Sequence, residues 1–195
     1  MKEKKERKRW GLILFIVLIM VGTSFSVFLY GVSPQSDVVK YNGIKFASSP
    51  SQGNVWIAKI SGREAAFSFL PQEVENVNMS RGINERLQGK FEIDATYDFN
   101  STYKESIALA QHQMGLTLGA YNIYLRRGFT ENNTFNLPII TCNNSTANVP
   151  VIYFKQGNST KIYLDNDCIV AEALTGADFI KSKDKILYSV LGVLK

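Results

Sequence analysis

Few side chains in this 195-residue chain combine a type and a spacing that could do chemistry. Glu92, Asp94, Thr96 and Asp98 take alternate positions in residues 90–98, with Phe91, Ile93, Ala95 and Tyr97 between them. Paired carboxylates on one face can move protons or hold a cation. A strand with one wet face is the plainer reading of the same period of two. His112 is the single histidine. It lies in a stretch of helical period, without a second histidine for a metal face or a nucleophile elbow. A helix-surface position is expected for it. Asp165-Asn166-Asp167 has calcium-ligand types but not the spacing of a calcium loop, which leaves a polar turn. There is no glycine-rich phosphate loop. These residues assign no catalytic, cofactor-binding or metal-binding site, and no cofactor is expected.

The two cysteines, Cys142 and Cys168, read first as a disulfide in an oxidising compartment. It would close a loop of about 27 residues, worth about 3 to 4 kcal/mol in the chain-entropy model. The absence of C-x-x-C argues against a redox pair. Two Cys and one His do not fill a zinc site. Six Asn-X-Ser/Thr sequons stand at Asn78, Asn100, Asn132, Asn143, Asn144 and Asn158, against about two expected by chance. They are glycosylation candidates on an exported surface; an Asn-rich loop composition is the alternative. Adjacent Asn143 and Asn144 are not expected to be modified together.

The compartment is read from the N-terminus. Residues 1–9 carry six basic and two acidic side chains, so +4 of the chain's +5 net charge sits there (six minus two). Residues 10–32 are apolar and uncharged. A helix of about 22 residues spans about 33 Å, enough for a hydrocarbon core of about 30 Å. Trp10 and Tyr30 suit the two interfaces, and the basic flank keeps the N-terminus in the cytoplasm. A single-pass transmembrane helix at 10–32 is therefore expected, with the bilayer as its partner. A cleaved signal peptide is the rival, with Ser24-Phe25-Ser26 as its cleavage region; both readings export the rest. The remaining charge is close to +1, so no nucleic-acid partner is expected.

The expected organisation is a basic tail at 1–9, the helix at 10–32, a linker at 33–36 and one extracytoplasmic domain at 37–195. Asn42-Gly43 between apolar runs predicts a hairpin of residues 38–41 and 44–47. Residues 55–60 and 65–70 pair around Ser61-Gly62, giving an antiparallel meander of about four strands with Trp56, Ile60, Phe67 and Phe69 in the core. Pro71 and Glu73 suit a helix start, and residues 83–87 a helical turn. Thr102 to Glu105 matches a capping box opening a helix to about Tyr121, buried along Ile107, Ala110, Met114, Thr117 or Leu118, and Tyr121. Strands are expected at 123–126, 151–155, 161–164 and 169–173. A last helix, capped at Thr175, should run to about Leu194 and bury Phe179, Ile186, Leu187, Val190 and Leu191. The fold class is α+β or α/β: a meander, one sheet and two main helices.

Two resemblances follow. Val149-Pro150 entering a strand, then a glycine turn, a strand and a final helix, is similar to the end of a thioredoxin-like fold, where that proline is usually cis. Where the redox motif would stand, after Asp98, this chain has Phe99-Asn100-Ser101-Thr102 and no cysteine. Tyr41-Asn42-Gly43, Phe69-Leu70-Pro71-Gln72-Glu73-Val74, Leu137-Pro138-Ile139-Ile140-Thr141-Cys142 and Leu187-Tyr188-Ser189-Val190-Leu191-Gly192 together resemble an uncharacterised family of single-pass membrane proteins of small-genome archaea. That resemblance implies an exported domain with two cysteines and no nameable activity. The expected function is a cell-surface or envelope interaction module, with envelope or surface proteins as partners. The alternatives are a redox- or chaperone-like protein of thioredoxin-like descent and an enzyme using the acidic strand face.

Overall fold

The structure, a computed structural model, describes residues 6–30, 37–49 and 55–194, with side chains of the first helix described from 10 to 22. The tail residues 1–5, the linker 33–36 and most of the loop at 48–54 lie outside the described residues. The chain divides into two units, residues 1–36 and 37–195.

In the first unit, helix α1 runs Glu6–Tyr30. Leu12 to Val21 are ten consecutive large apolar side chains, all exposed. A helix apolar on every side has no polar face to turn to water. The expectation of a full membrane crossing is corrected in one respect: among the described residues no helix is long and apolar enough to cross a membrane.

The second unit opens with two hairpins set by their turns. Asn42 and Gly43 adopt φ of 47° and 80°, and Ser61 and Gly62 adopt 50° and 83°. Two successive left-handed residues make the turn whose twist matches paired strands. The strands they join are β1 (Val38–Tyr41), β2 (Ile44–Ser49), β3 (Val55–Ile60) and β4 (Arg63–Phe67), in the order β1-β2-β3-β4, all antiparallel. The meander is as expected. Short helix α2 (Pro71–Val74) follows, its Glu73 carboxylate accepting from the Leu70 amide at 2.6 Å.

The remaining strands form a separate six-stranded sheet, so the described strands make two sheets where the sequence suggested a meander leading into one. The members are β5 (Asn78–Met79), β6 (Glu92–Tyr97), β7 (Tyr124–Phe129), β8 (Val151–Gln156), β9 (Lys161–Asp165) and β10 (Cys168–Ala173), in the order β5-β9-β10-β8-β6-β7. β7, β6, β8 and β10 are mutually parallel, and β9 is antiparallel to β10. Helix α3 (Ile83–Leu87) lies between β5 and β6 in sequence; α4 (Lys104–Ala120) connects β6 to β7, and α5 (Gly176–Val190) follows β10. Among the described residues no peptide bond is cis, including the one before Pro150.

The two long helices lie between the sheets. On one side, Thr117 of α4 and Tyr121 just past its end donate to the Ala66, Ile60 and Arg63 carbonyls, and Tyr188 of α5 stacks on Phe67 at 4.2 Å. On the other, Phe179 faces Phe154 of β8 and Gly115 faces Leu125 of β7. One apolar cluster therefore takes residues from both sheets. Three local expectations are corrected. Thr102 is not the cap of α4: Tyr103 holds that position, and the Thr102 hydroxyl donates to Gln156 Oε1 instead. α5 stops at Val190, because Gly192 turns left-handed at φ 72°. The face of β6 carrying Asp94 and Thr96 is not wet. Both are 0 % exposed, because β6 is an inner strand and a segment before Cys142 covers it.

Candidate functional site

The register of β7 leaves part of its backbone unpaired. Among the described strands β7 lies at an edge and pairs only with β6, apart from a single bridge at Phe129. The Tyr124 amide donates to Phe91 O and the Thr130 amide to Tyr97 O. Parallel ladders alternate, so Tyr124, Arg126 and Gly128 turn their N–H and C=O groups toward β6, whereas Leu125, Arg127 and Phe129 turn theirs outward. Phe129 is satisfied: its amide donates to Pro138 O and its carbonyl accepts from the Ile140 amide. The backbone groups of Leu125 and Arg127 point away from the sheet, and among the described residues no strand lies beside them. An edge of this kind is a template for another chain.

The same stretch walls a groove. Between α4 and β7 lies a space of 560 Å³ lined by residues that include Gln111, His112, Gly115, Leu116, Gly119, Tyr124, Leu125 and Arg127. Arg127 is cationic, and among the described residues no carboxylate lines the space. Among the described residues Arg127 has no ion pair, in contrast to Arg126, which is bound to Asp94 and Glu92. Gln111 is 2 % exposed and its Nε2 has no hydrogen-bond partner. An unpaired buried amide costs about 1 to 3 kcal/mol. Two glycines inside α4 add a second cost, about 1 kcal/mol each against alanine. Packing does not demand them. A Cβ on Gly115 would touch Leu125 at an ordinary 3.6 Å, and one on Gly119 would meet nothing within 4 Å. Their effect is to keep the groove wide.

A second polar group sits where α5 meets the end of β4. Asp184 and Lys183 are 0 % and 1 % exposed, and Lys183 Nζ donates to Asp184 Oδ1 at 2.5 Å. Asp184 Oδ2 accepts from the Ser68 and Phe69 amides at 2.9 Å each. Burial pushes the Asp184 carboxyl up from its ordinary range, opposed by the Lys183 charge and by these donors. Burial also raises the Tyr188 phenol, which donates to Phe69 O at 2.6 Å. The cluster joins α5 to the meander through buried hydrogen bonds, so its role is positioning.

The carboxylates on β6 do not converge on free space. Asp94 takes a two-pronged contact from Arg126, 2.7 Å to each oxygen, and Arg126 reaches Glu92 at 3.4 Å. These hydrogen bonds raise the Arg126 pKa. Asp98 accepts from the Asn100 amide. Asp165 and Asn166 turn β9 into β10, Asn166 at φ 52°, and Asp167 pairs with Arg86 at 3.0 Å. His112 is exposed on α4. Cys142 and Cys168 stand at disulfide distance, 2.09 Å, fastening the covering segment to β10. All six sequon asparagines are exposed. Asn100, Asn132 and Asn158 each follow the carboxyl end of a parallel strand, β6, β7 and β8, by two or three residues. Asn78 lies on β5, the opposite edge. No sequon falls between residues 104 and 128, the stretch that builds the groove.

No family model, no curated protein and no solved structure matches this chain. Sequence reasoning missed Gln111, Arg127, Lys183 and Asp184. Two of the four, Gln111 and Lys183, carried a signal. Extending the apolar stripe Ile107-Ala110-Met114 lands on Gln111, and extending Phe179-Ile186-Leu187 lands on Ser182 and Lys183 at helical spacing. A polar residue on such a stripe is buried, as all three are. Arg127 gave no signal, because edge position is a property of the sheet order.

Proposed function

We propose that this protein is an interaction module, held at a membrane through residues 10–32 and displayed on the outer side of a cell envelope. The observation that carries the reading is the groove along α4 beside the unpaired edge of β7. It combines apolar walls, an ion-pair-free arginine and open backbone groups, which suits binding better than bond making. Three further features support it. The apolar run of α1 has no polar face. The Cys142–Cys168 pair belongs to an oxidising exterior, and the 1 % exposure of Cys168 favours a fastening over thiol exchange. The sequons leave the groove clear.

The test uses the full chain in its membranes. A photo-reactive group placed at exposed Leu116 should capture a discrete partner from intact cells, and protease added outside should digest the domain. Digestion only after the membrane is opened would overturn the display. Failure of the Leu116 probe to form any discrete adduct would overturn the module.

A further inference from the structure

We propose that the open half of β7 accepts an extended peptide as an added strand, with an acidic side chain of that peptide seated on Arg127. The inference rests on the interaction-module reading and names the partner's chemistry. Strand addition needs an edge whose amide and carbonyl groups are outward and free, and Leu125 and Arg127 provide two such pairs. The fold already performs half of the reaction on itself. The stretch around Ile139 bridges Phe129 in parallel, taking its outward groups, and then leaves for Cys142. The open positions begin two residues earlier, so an added segment would continue the line that Pro138 to Ile140 start.

Specificity follows from what lines the groove. Side chains of an added strand would alternate toward and away from α4. Those facing α4 meet Leu116, Leu125 and the floor kept low by Gly115 and Gly119. They also meet Arg127, an exposed guanidinium with no ion pair among the described residues. A carboxylate is the complement, and a guanidinium receives it through two parallel hydrogen bonds. Gln111 supplies an independent sign of an occupant: the residue lines this space, and its buried amide nitrogen has no partner among the described residues.

The experiment uses the full chain in detergent micelles and a blocked hexapeptide of alternating valine and glutamate, with the valine–lysine hexapeptide as counterpart. Amide hydrogen exchange is read residue by residue. The glutamate peptide should slow exchange at Leu125 and Arg127 at least tenfold and leave Tyr124 and Arg126, already bonded to β6, unchanged. The lysine peptide should bind at least tenfold more weakly, and Arg127→Glu should reverse that order. Arg127→Pro removes an outward N–H, a loss an edge strand tolerates, and should abolish the effect while α5 amides keep their protection. Absence of slowing, or equal binding of both peptides, overturns the proposal. So does a dimer of the full chain in sedimentation that Arg127→Glu dissolves, since the occupant would then be a second copy. Partner capture at Leu116 that survives Arg127→Glu sinks strand addition and spares the module reading. Loss of all capture in the unaltered chain sinks the module itself.

Discussion

The two faces of the six-stranded sheet are covered by different means. One face lies under α4 and α5, and its apolar cluster continues through the helices into the meander. The other lies under an irregular segment, and its cluster has three buried members, Ile140, Val151 and Cys168. Irregular chain cannot bury apolar area as a helix does, since its own backbone groups need partners. The second face therefore relies on discrete fasteners. These are the disulfide, the Thr96 hydroxyl donating to Ile140 O at 2.7 Å, and the Arg126 fork on Asp94. The helix face can leave a gap at its margin, and that gap is the groove. A face held by area can spare a few side chains for binding; a face held by fasteners cannot.

The contrast can be broken in four ways. On the helix face, Asp184→Ala strands the buried Lys183 charge and should cost about 3 to 5 kcal/mol in chemical denaturation. A loss under about 1 kcal/mol would mean that apolar area alone holds α5 to the meander. On the fastened face, reducing the Cys142–Cys168 disulfide should cost about 3 to 4 kcal/mol. Faster amide exchange should appear at Ile140 and Val151 first and at α4 last; uniform acceleration would show that the two faces are not separately held. Gly128→Ala tests the same face sterically. A Cβ there would stand 2.5 Å from the Pro138 carbonyl oxygen and 2.8 Å from Ile140, so a loss of about 1 to 3 kcal/mol is expected in thermal unfolding. Gly115→Ala, facing the groove, should instead gain up to about 1 kcal/mol while weakening whatever binds there. If Gly115→Ala and Gly128→Ala destabilise alike, the helix face is as tightly closed as the other and the groove has no room to spare.

Local features were legible in the sequence and relations across the sheet were not. Asn42-Gly43 and Ser61-Gly62 announce their turns because backbone sterics act within a few residues. Thr175 announces α5 for the same reason, its hydroxyl accepting from the Asp178 amide. The alternation of β6 was also legible, but its meaning was misread. A period of two separates the faces and does not say what lies above each. Asp94 and Thr96 are buried because β6 sits between β7 and β8, an order set by a crossover and a segment more than 40 residues downstream of Thr96. The groove was illegible for the same reason: Arg127 matters because its strand came out at the edge.

The stack of Phe67 on Tyr188 and the edge-on contact of Phe46 with the same ring also bear on how the domain is made. The meander is the first part of the domain to be synthesised, yet the ring that completes its core belongs to the last helix. The inner strands β6, β8 and β10 are likewise supplied late and out of spatial order. The apolar core of the meander is therefore completed by contacts distant in sequence. A chain cut short before α5 would leave Phe46 and Phe67 without the ring that covers them.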